Sequence, residues 1–182
     1  MSRSLNPAHP SDVVGPPLRR KEPGMGRYID ALLAAGTVFG VQYASQEISP
    51  ADDPETRRWY TRLNKPAFNP PGPVYAVVWT MLDSLLAWSG YRLLRAESSP
   101  GRTLALSLWA LCVVGIASFP FFVFRKRELG TGLAICIGMI LSSGSSVVAA
   151  RKVDPCAAKL QVPLFVWLIF AICVHEEVWR HN

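Results

Sequence analysis

Charged residues are scarce in this 182-residue chain, at 18% against the roughly 25% typical of soluble domains. Histidine occurs only three times, at His9, His175 and His181, without the spacing of a zinc site. The four cysteines form no CxxC pair, and three lie inside apolar runs, where a thiol serves as a small hydrophobe. Glycine-rich phosphate loops, GxSxG elbows and HExxH motifs are also missing. The sequence accordingly predicts no metal site, no cofactor and no catalytic residues, and hence a protein that is not an enzyme.

Hydrophobic residues make up 50% of the chain, and the net charge is +6. In a soluble protein such a positive charge would suggest nucleic-acid binding. Here the cations lie between apolar runs, as interfacial anchors do in membrane proteins. The chain has no RNP signature, C2H2 spacing or recognition-helix pattern. We therefore expect a lipid bilayer as partner and no nucleic acid.

Five apolar segments predict membrane spans at about 28–48, 73–94, 103–124, 129–150 and 160–180. A lipid-exposed backbone must satisfy its hydrogen bonds within its own helix. The predicted fold class is therefore an all-α integral membrane protein, a five-transmembrane-helix bundle over residues 27–182. Residues 1–26 are rich in Pro, Arg and Ser, which predicts a disordered N-terminal extension.

The last apolar segment is short, with its first titratable group at His175. At 1.5 Å per residue it falls short of the roughly 30 Å hydrocarbon core, so we expect the helix to continue to Trp179. Glu177 and His181 would then lie one turn apart. Lysines and arginines are divided too evenly between the two predicted membrane surfaces to predict how the bundle is oriented in the membrane.

Small and polar residues inside the spans predict how the helices pack. Gly36 and Gly40 form a GxxxG pattern, and a second face combines Gly138, Ser142, Ser146 and Ala150. Such faces allow close approach of a neighbouring helix. Asp83 lies near the middle of the second span, where a carboxylate should face the bundle interior. Two interpretations stay open for Asp83: it lines a cavity, or a neighbouring helix satisfies it.

The segment 58–73, here called the collar, precedes the second span and contains four prolines among its last eight residues. Trp59 and Tyr60 lie beside arginines and a lysine, a composition typical of a membrane–water interface. Composition alone leaves open whether the collar is a structured cover for the bundle or an ordinary Pro-rich loop.

The collar resembles the signature of the translocator protein family (TspO/MBR), also called tryptophan-rich sensory proteins or peripheral-type benzodiazepine receptors. The matching residues are Trp59-Tyr60, Leu63, Lys65-Pro66, Phe68, Pro70-Pro71 and Val78-Trp79-Thr80. Further likeness at Pro120, Pro163, Trp167, Phe170 and Val178-Trp179-Arg180 extends the resemblance from about residue 27 to the end.

The resemblance implies a five-helix membrane protein, often a homodimer, with a pocket between the helices beneath the first long loop. Its expected ligands are tetrapyrroles such as protoporphyrin IX, sterols and benzodiazepine-type drugs. Carried over to this chain, the ligand-binding residues are Trp79, Phe119, Trp167 and Phe170 in the pocket, with Trp59 and Tyr60 in its lid. The expected location is the mitochondrial outer membrane or another organelle membrane in a eukaryote, or the cell envelope in a bacterium.

Three departures from the family pattern bear on the ligand. Ile116 stands where the family usually has Asn, Asp83 stands where it has Tyr, and His175-Glu176-Glu177 replaces Asn-Tyr-Tyr. The last change removes the Tyr of the C-terminal cholesterol motif. We therefore weigh three functions: binding, transport or sensing of an apolar ligand; light-dependent porphyrin breakdown; and a membrane interaction platform with weakened ligand binding.

Overall fold

The computed structural model describes residues 25–182, and this part of the chain is helical apart from its connections. The predicted disordered extension falls, but for its last two residues, outside the described residues. Six α-helices follow one another: α1 Gly26–Gln46, α2 Pro54–Arg62, α3 Gly72–Arg95, α4 Pro100–Pro120, α5 Leu129–Arg151 and α6 Pro155–Arg180. A π-helical turn, Phe121–Arg125, continues α4.

The five long helices lie at the five segments predicted as spans, and the sixth is the short α2 within the connection from α1 to α3. Three of the helical stretches described are long and apolar enough to cross a membrane: Pro100–Arg125, Leu129–Arg151 and Pro155–Arg180. The other two long helices are less apolar because Asp30 and Gln42 interrupt α1 and Asp83 interrupts α3.

Two helix boundaries differ from the prediction, each because of capping chemistry. The last helix begins at Pro155 rather than at residue 160, because the Asp154 carboxylate accepts hydrogen bonds from the backbone N–H of Cys156 and Ala157. Similarly, α4 begins at Pro100 rather than at residue 103, because the Ser99 hydroxyl accepts the backbone N–H of Arg102. As expected, α6 continues past Trp179, and His181 Nδ1 lies 3.3 Å from Glu177 Oε2.

Successive long helices run antiparallel, so the bundle has two ends. The collar end contains α2 and the end of α6. The opposite end contains the start of α1 and the end of α3, and there Arg95 Nη1 lies 3.6 Å from Asp30 Oδ2. A buried polar link ties α3 to α6 nearer to the opposite end than to the collar end. Gln161 Nε2 donates to Ser89 Oγ at 2.8 Å, and Ser89 Oγ donates to the Ala157 carbonyl at 2.9 Å.

The glycines that make close helix contacts are not those that the sequence predicted. At Gly36, Gly40 and Gly138 a Cβ atom would meet nothing within 4 Å in the described chain, so these predicted contacts are wrong for the single chain. Close approach occurs instead at Gly90, Gly115, Gly132 and Gly144, each of which faces a large side chain of a neighbouring helix or turn.

The other three residues of the small-residue face that includes Gly138 lie on α5 and are buried. Ser142, Ser146 and Ala150 are each at most 4% exposed, and Ser146 Oγ donates to the α4 carbonyl of Ala105 at 3.2 Å. Asp83 is 2% exposed, which confirms that it faces the interior of the bundle.

Candidate functional site

The connection ahead of the second span contains a helix that sequence interpretation missed: α2, which begins before the collar and extends into it as far as Arg62. Asp53 is its N-cap: the carboxylate accepts the Thr56 N–H at 2.9 Å and also the Thr56 hydroxyl, with Pro54 in the first turn. The hydroxyl hydrogen bond holds the pKa of Asp53 below its ordinary value. The signal for this cap, Asp-Pro-Glu-Thr at residues 53–56, is present in the sequence.

Lys65 closes the other end of α2. Its Nζ donates to the carbonyls of Tyr60 at 2.6 Å and Leu63 at 2.9 Å, and it lies 4.7 Å from the centre of the Tyr60 ring. Burial lowers the pKa of Lys65 and raises that of Tyr60. The collar is therefore a structured element, which decides between the two interpretations that its composition left open.

A first group of aromatic rings joins α2 to α4 and α6. Tyr60 meets Phe124 edge-on, with ring centres 5.9 Å apart, and Phe124 in turn meets Phe119 at 6.3 Å. Phe119 lies 5.1 Å from the His175 ring, and His175 Nε2 contacts the Leu129 carbonyl at 2.8 Å. Phe124 belongs to the π-helical turn, a type of local geometry that often accompanies functional sites.

A second group joins the collar to α3 and α6. Phe68 lies 6.3 Å from Phe170, and Phe170 lies 5.2 Å from Trp167 on the next turn of α6. Trp167 also meets Tyr75 of α3 edge-on at 5.8 Å, and the Tyr75 hydroxyl donates to Asn69 Oδ1 at 3.2 Å. The two groups together draw aromatic side chains from α2, the collar, α3, α6, and α4 with its π-helical turn.

Trp167 has an unused donor in this region. Its indole Nε1 is buried and has no hydrogen-bond acceptor within residues 25–182. A buried donor left unpaired costs about 1–3 kcal/mol, so native proteins seldom retain one without a reason. Trp79 lies one turn beyond Tyr75 on the same face of α3 and packs, half-buried, against the apolar core.

Two contacts hold α2 over these rings. Arg127 Nη2 lies 2.6 Å from Glu55 Oε1, and the Arg127 guanidinium lies 5.7 Å from the centre of the Trp59 ring. Arg127 adopts a left-handed backbone, φ 58°, which turns the chain from the π-helical segment into α5. Beyond α2, the Asn64 N–H donates to Asn182 Oδ1 at 3.0 Å, and Asn182 Nδ2 donates to the Asn64 carbonyl at 3.1 Å.

The structure thus brings most of the predicted site residues together. Tyr60 and Phe119 belong to the first aromatic group, Trp167 and Phe170 to the second, while Trp59 lies at the rim beside Arg127. Sequence interpretation left out Phe68, Tyr75 and Phe124. The spacing of four between Tyr75 and Trp79 could have identified Tyr75, since it places both on one helix face.

Two open spaces in the described chain lie away from these rings. A groove of about 550 Å³ on another face of α3 is lined by Ala76, Val77, Thr80, Met81, Ser84 and Leu85, and a cavity of about 190 Å³ lies at the opposite end. In the described structure the aromatic rings contact one another directly.

Comparison with known sequences identifies the family. The sequence model of the TspO/MBR family matches residues 30–180. The chain belongs to the TspO/MBR family. Among its relatives, the tryptophan-rich sensory protein of Cereibacter sphaeroides is 32% identical over 68% of this chain and 77% of its own length. The translocator protein of Sus scrofa is 30% identical over 68% of this chain and 75% of its own length. The tryptophan-rich protein TspO of Bacillus cereus is 26% identical over 79% of this chain and 91% of its own length.

Membership of the TspO/MBR family, together with three helices apolar enough to cross a bilayer, makes the chain a multi-pass integral membrane protein. The family match also covers the collar, so α2 and its aromatic contacts belong to the TspO/MBR part of the chain.

Proposed function

We propose that this TspO/MBR protein binds a flat apolar ligand, a tetrapyrrole such as protoporphyrin IX or else a sterol, between α3, α4 and α6 beneath α2. The observation that carries the proposal is Trp167, whose ring lies between Tyr75 and Phe170 while its buried N–H has no acceptor in the described residues. An acceptor on a ligand would satisfy that donor.

The chemistry of the region suits a conjugated ring. Aromatic side chains offer large apolar faces, and ligand pockets combine such walls with a few polar groups that fix orientation. Because the rings now contact one another, binding requires them to separate, and α2 is the element whose movement would admit a ligand. The contacts that hold it include an exposed ion pair between Glu55 and Arg127, which lies in the turn ahead of α5, and such a pair contributes only about 0–1 kcal/mol.

All five long helices cross the bilayer in this proposal, with α2 lying at one membrane surface. The shortest have 21 residues, or roughly 31 Å at 1.5 Å per residue, which matches the roughly 30 Å hydrocarbon core. The host membrane is an organelle membrane such as the mitochondrial outer membrane in a eukaryote, or the cell envelope in a bacterium. A homodimer is the expected assembly, with the open faces at Gly36 and Gly40 available for it.

The test is a titration of the purified protein in lipid nanodiscs with protoporphyrin IX, followed by quenching of tryptophan fluorescence. Trp167→Phe keeps an aromatic ring but loses the N–H, and we expect it to weaken binding about tenfold. Trp88→Phe is the matched control, because Trp88 is 57% exposed on α3 and lies outside the site. Absence of saturable quenching, or equal affinities for the two variants, would contradict the proposal.

We propose that the protein binds the ligand without breaking it down. Illumination of the protein–porphyrin complex distinguishes the two: we expect the porphyrin absorbance to stay unchanged, whereas bleaching that depends on the protein would identify an enzyme. Competition by cholesterol would assign the same site to sterols. A folded protein that binds neither ligand would instead act as an interaction platform.

A further inference from the structure

A cavity of about 190 Å³ opens at the opposite end of the bundle, far from the collar. It is lined by Tyr91, Arg92, Arg95 and Ala96, at the end of α3, and by Asp154 ahead of α6. One water molecule needs only roughly 10–15 Å³ of such space, so this cavity has room for a phosphate-sized group. Two guanidinium groups in one small cavity suggest an anionic ligand.

Most hydrogen-bond donors of these two arginines are unused within residues 25–182. Arg92 engages Asp154 through Nη2 alone, at 2.9 Å from Oδ2 and 3.2 Å from Oδ1, while its Nε is buried without a partner. Arg95 Nη1 lies 3.6 Å from Asp30 Oδ2, which is longer than a hydrogen bond. Since each guanidinium carries five N–H donors in a planar fork, the pair has ample capacity to bind an anion.

The carboxylate in the cavity is already committed elsewhere. Asp154 Oδ1 accepts the backbone N–H of Cys156 at 2.9 Å and of Ala157 at 3.0 Å, which caps α6. Its negative charge therefore faces the positive end of a helix dipole as well as Arg92. The lining residues alone carry one excess cationic charge, on Arg95, which is offset in part by the Asp30 carboxylate of α1, 3.6 Å away.

The surrounding charge favours the same kind of ligand. Within the described residues, the opposite end carries three acidic residues, Asp30, Glu97 and Asp154, against seven basic ones, whereas the collar end carries seven acidic and eight basic residues. The basic set at the opposite end is Arg27, Arg92, Arg95, Arg102, Arg151, Lys152 and Lys159. Such an excess of cations at a membrane surface attracts anionic lipids.

We propose that the cavity formed by Tyr91, Arg92 and Arg95 binds a phosphate group, as presented by the headgroup of an anionic phospholipid. Arg92 and Arg95 lie in the last turn of α3, where the membrane-spanning helix reaches headgroup depth and a guanidinium can meet a phosphate from the side. The site is independent of the ligand region beneath α2, which lies at the other end of the bundle.

The experiment uses the full chain in detergent, with native mass spectrometry to count bound phosphatidylglycerol and phosphatidylcholine at matched concentrations. We expect preferential retention of phosphatidylglycerol and about tenfold weaker retention by Arg95→Gln. Arg151→Gln is the matched control, because Arg151 is an exposed arginine at the same end that does not line the cavity. Equal retention by the two variants, or equal retention of the two lipids, would overturn the proposal.

Two further arms identify the group that is bound. Arg92→Lys keeps the charge but loses the planar fork, so we expect phosphatidylglycerol retention between wild type and Arg95→Gln. Inorganic phosphate that displaces the lipid at millimolar concentration would confirm that the phosphate itself is recognised. If neutral diacylglycerol competes as well as phosphatidylglycerol, the cavity binds acyl chains and the proposal is wrong.

Discussion

Replacement of Gly90 by alanine tests how closely α3 and α4 pack. A Cβ at Gly90 would lie 2.6 Å from Trp109 Cζ2 and 2.8 Å from Cε2, where ordinary contacts begin near 3.4 Å. The indole would therefore have to move by roughly 0.8 Å to restore that spacing, and it is a rigid ring that is only 6% exposed. A hydrogen bond also fixes it, since Trp109 Nε1 donates to the Leu86 carbonyl at 3.0 Å.

The magnitude follows from these contacts. Overpacking of this kind costs about 1–3 kcal/mol, and loss of the indole hydrogen bond costs about 0.5–1.5 kcal/mol. Alanine recovers up to about 1 kcal/mol of helix propensity relative to glycine. We therefore expect Gly90→Ala to lower the free energy of unfolding by about 1–3 kcal/mol.

The assay is reversible unfolding in mixed micelles by added dodecyl sulfate, followed by far-ultraviolet circular dichroism. Gly138→Ala is the control, because a Cβ there meets nothing within 4 Å and should leave stability unchanged or slightly raised. Trp109→Phe combined with Gly90→Ala should show a favourable coupling energy, since the smaller ring relieves the clash. If Gly90→Ala unfolds at the same midpoint as Gly138→Ala, the close approach of α3 and α4 is refuted.

Three further predictions concern the collar and the interior. Arg127→Gln should speed amide hydrogen exchange in α2 about two- to fivefold, because it removes the exposed ion pair with Glu55. The hydrogen bonds that Asp53 accepts lower its pKa. The stability that this cap gives to α2 is therefore present above the ordinary pKa of 3.8 and is lost as pH falls through the lowered pKa. Protection of the α2 amides from hydrogen exchange should decrease in that acidic range in the wild type, but not in Asp53→Asn. Ser89→Ala leaves the buried Gln161 amide without its acceptor and should cost about 1–3 kcal/mol of unfolding free energy.

Each of these has its own check. Exchange in α2 that is unchanged by Arg127→Gln would show that the ion pair does not hold the helix. An acid dependence that persists in Asp53→Asn would assign the pH effect to another group. For the interior, Ser84→Ala is the control, since Ser84 is exposed and its hydroxyl donates only to the Thr80 carbonyl of its own helix. Equal stability of the two serine variants would rule out a role for the Ser89–Gln161 link.

The predicted site residues came from the family resemblance rather than from residue chemistry. The family motif names Trp59, Tyr60 and Trp79 by their order along the chain, and the apolar segments predict which helices carry Phe119, Trp167 and Phe170. What could not be predicted was the pairing of these rings, since Tyr60 meets Phe124 and Tyr75 meets Trp167 only after the helices have assembled.

The sequence alone determined the all-helical class and the five long helices, because a run of apolar residues long enough to span a bilayer has few other ways to satisfy its backbone. Tertiary structure decided which glycines meet a neighbour. GxxxG spacing only makes room for a second helix, and whether one lies there depends on the rotation of each helix in the bundle. For that reason Gly36 is open while Gly90 receives the ring of Trp109. Assembly alone also brought Arg92, Arg95 and Asp154 around one cavity, from helix ends some sixty residues apart in the chain.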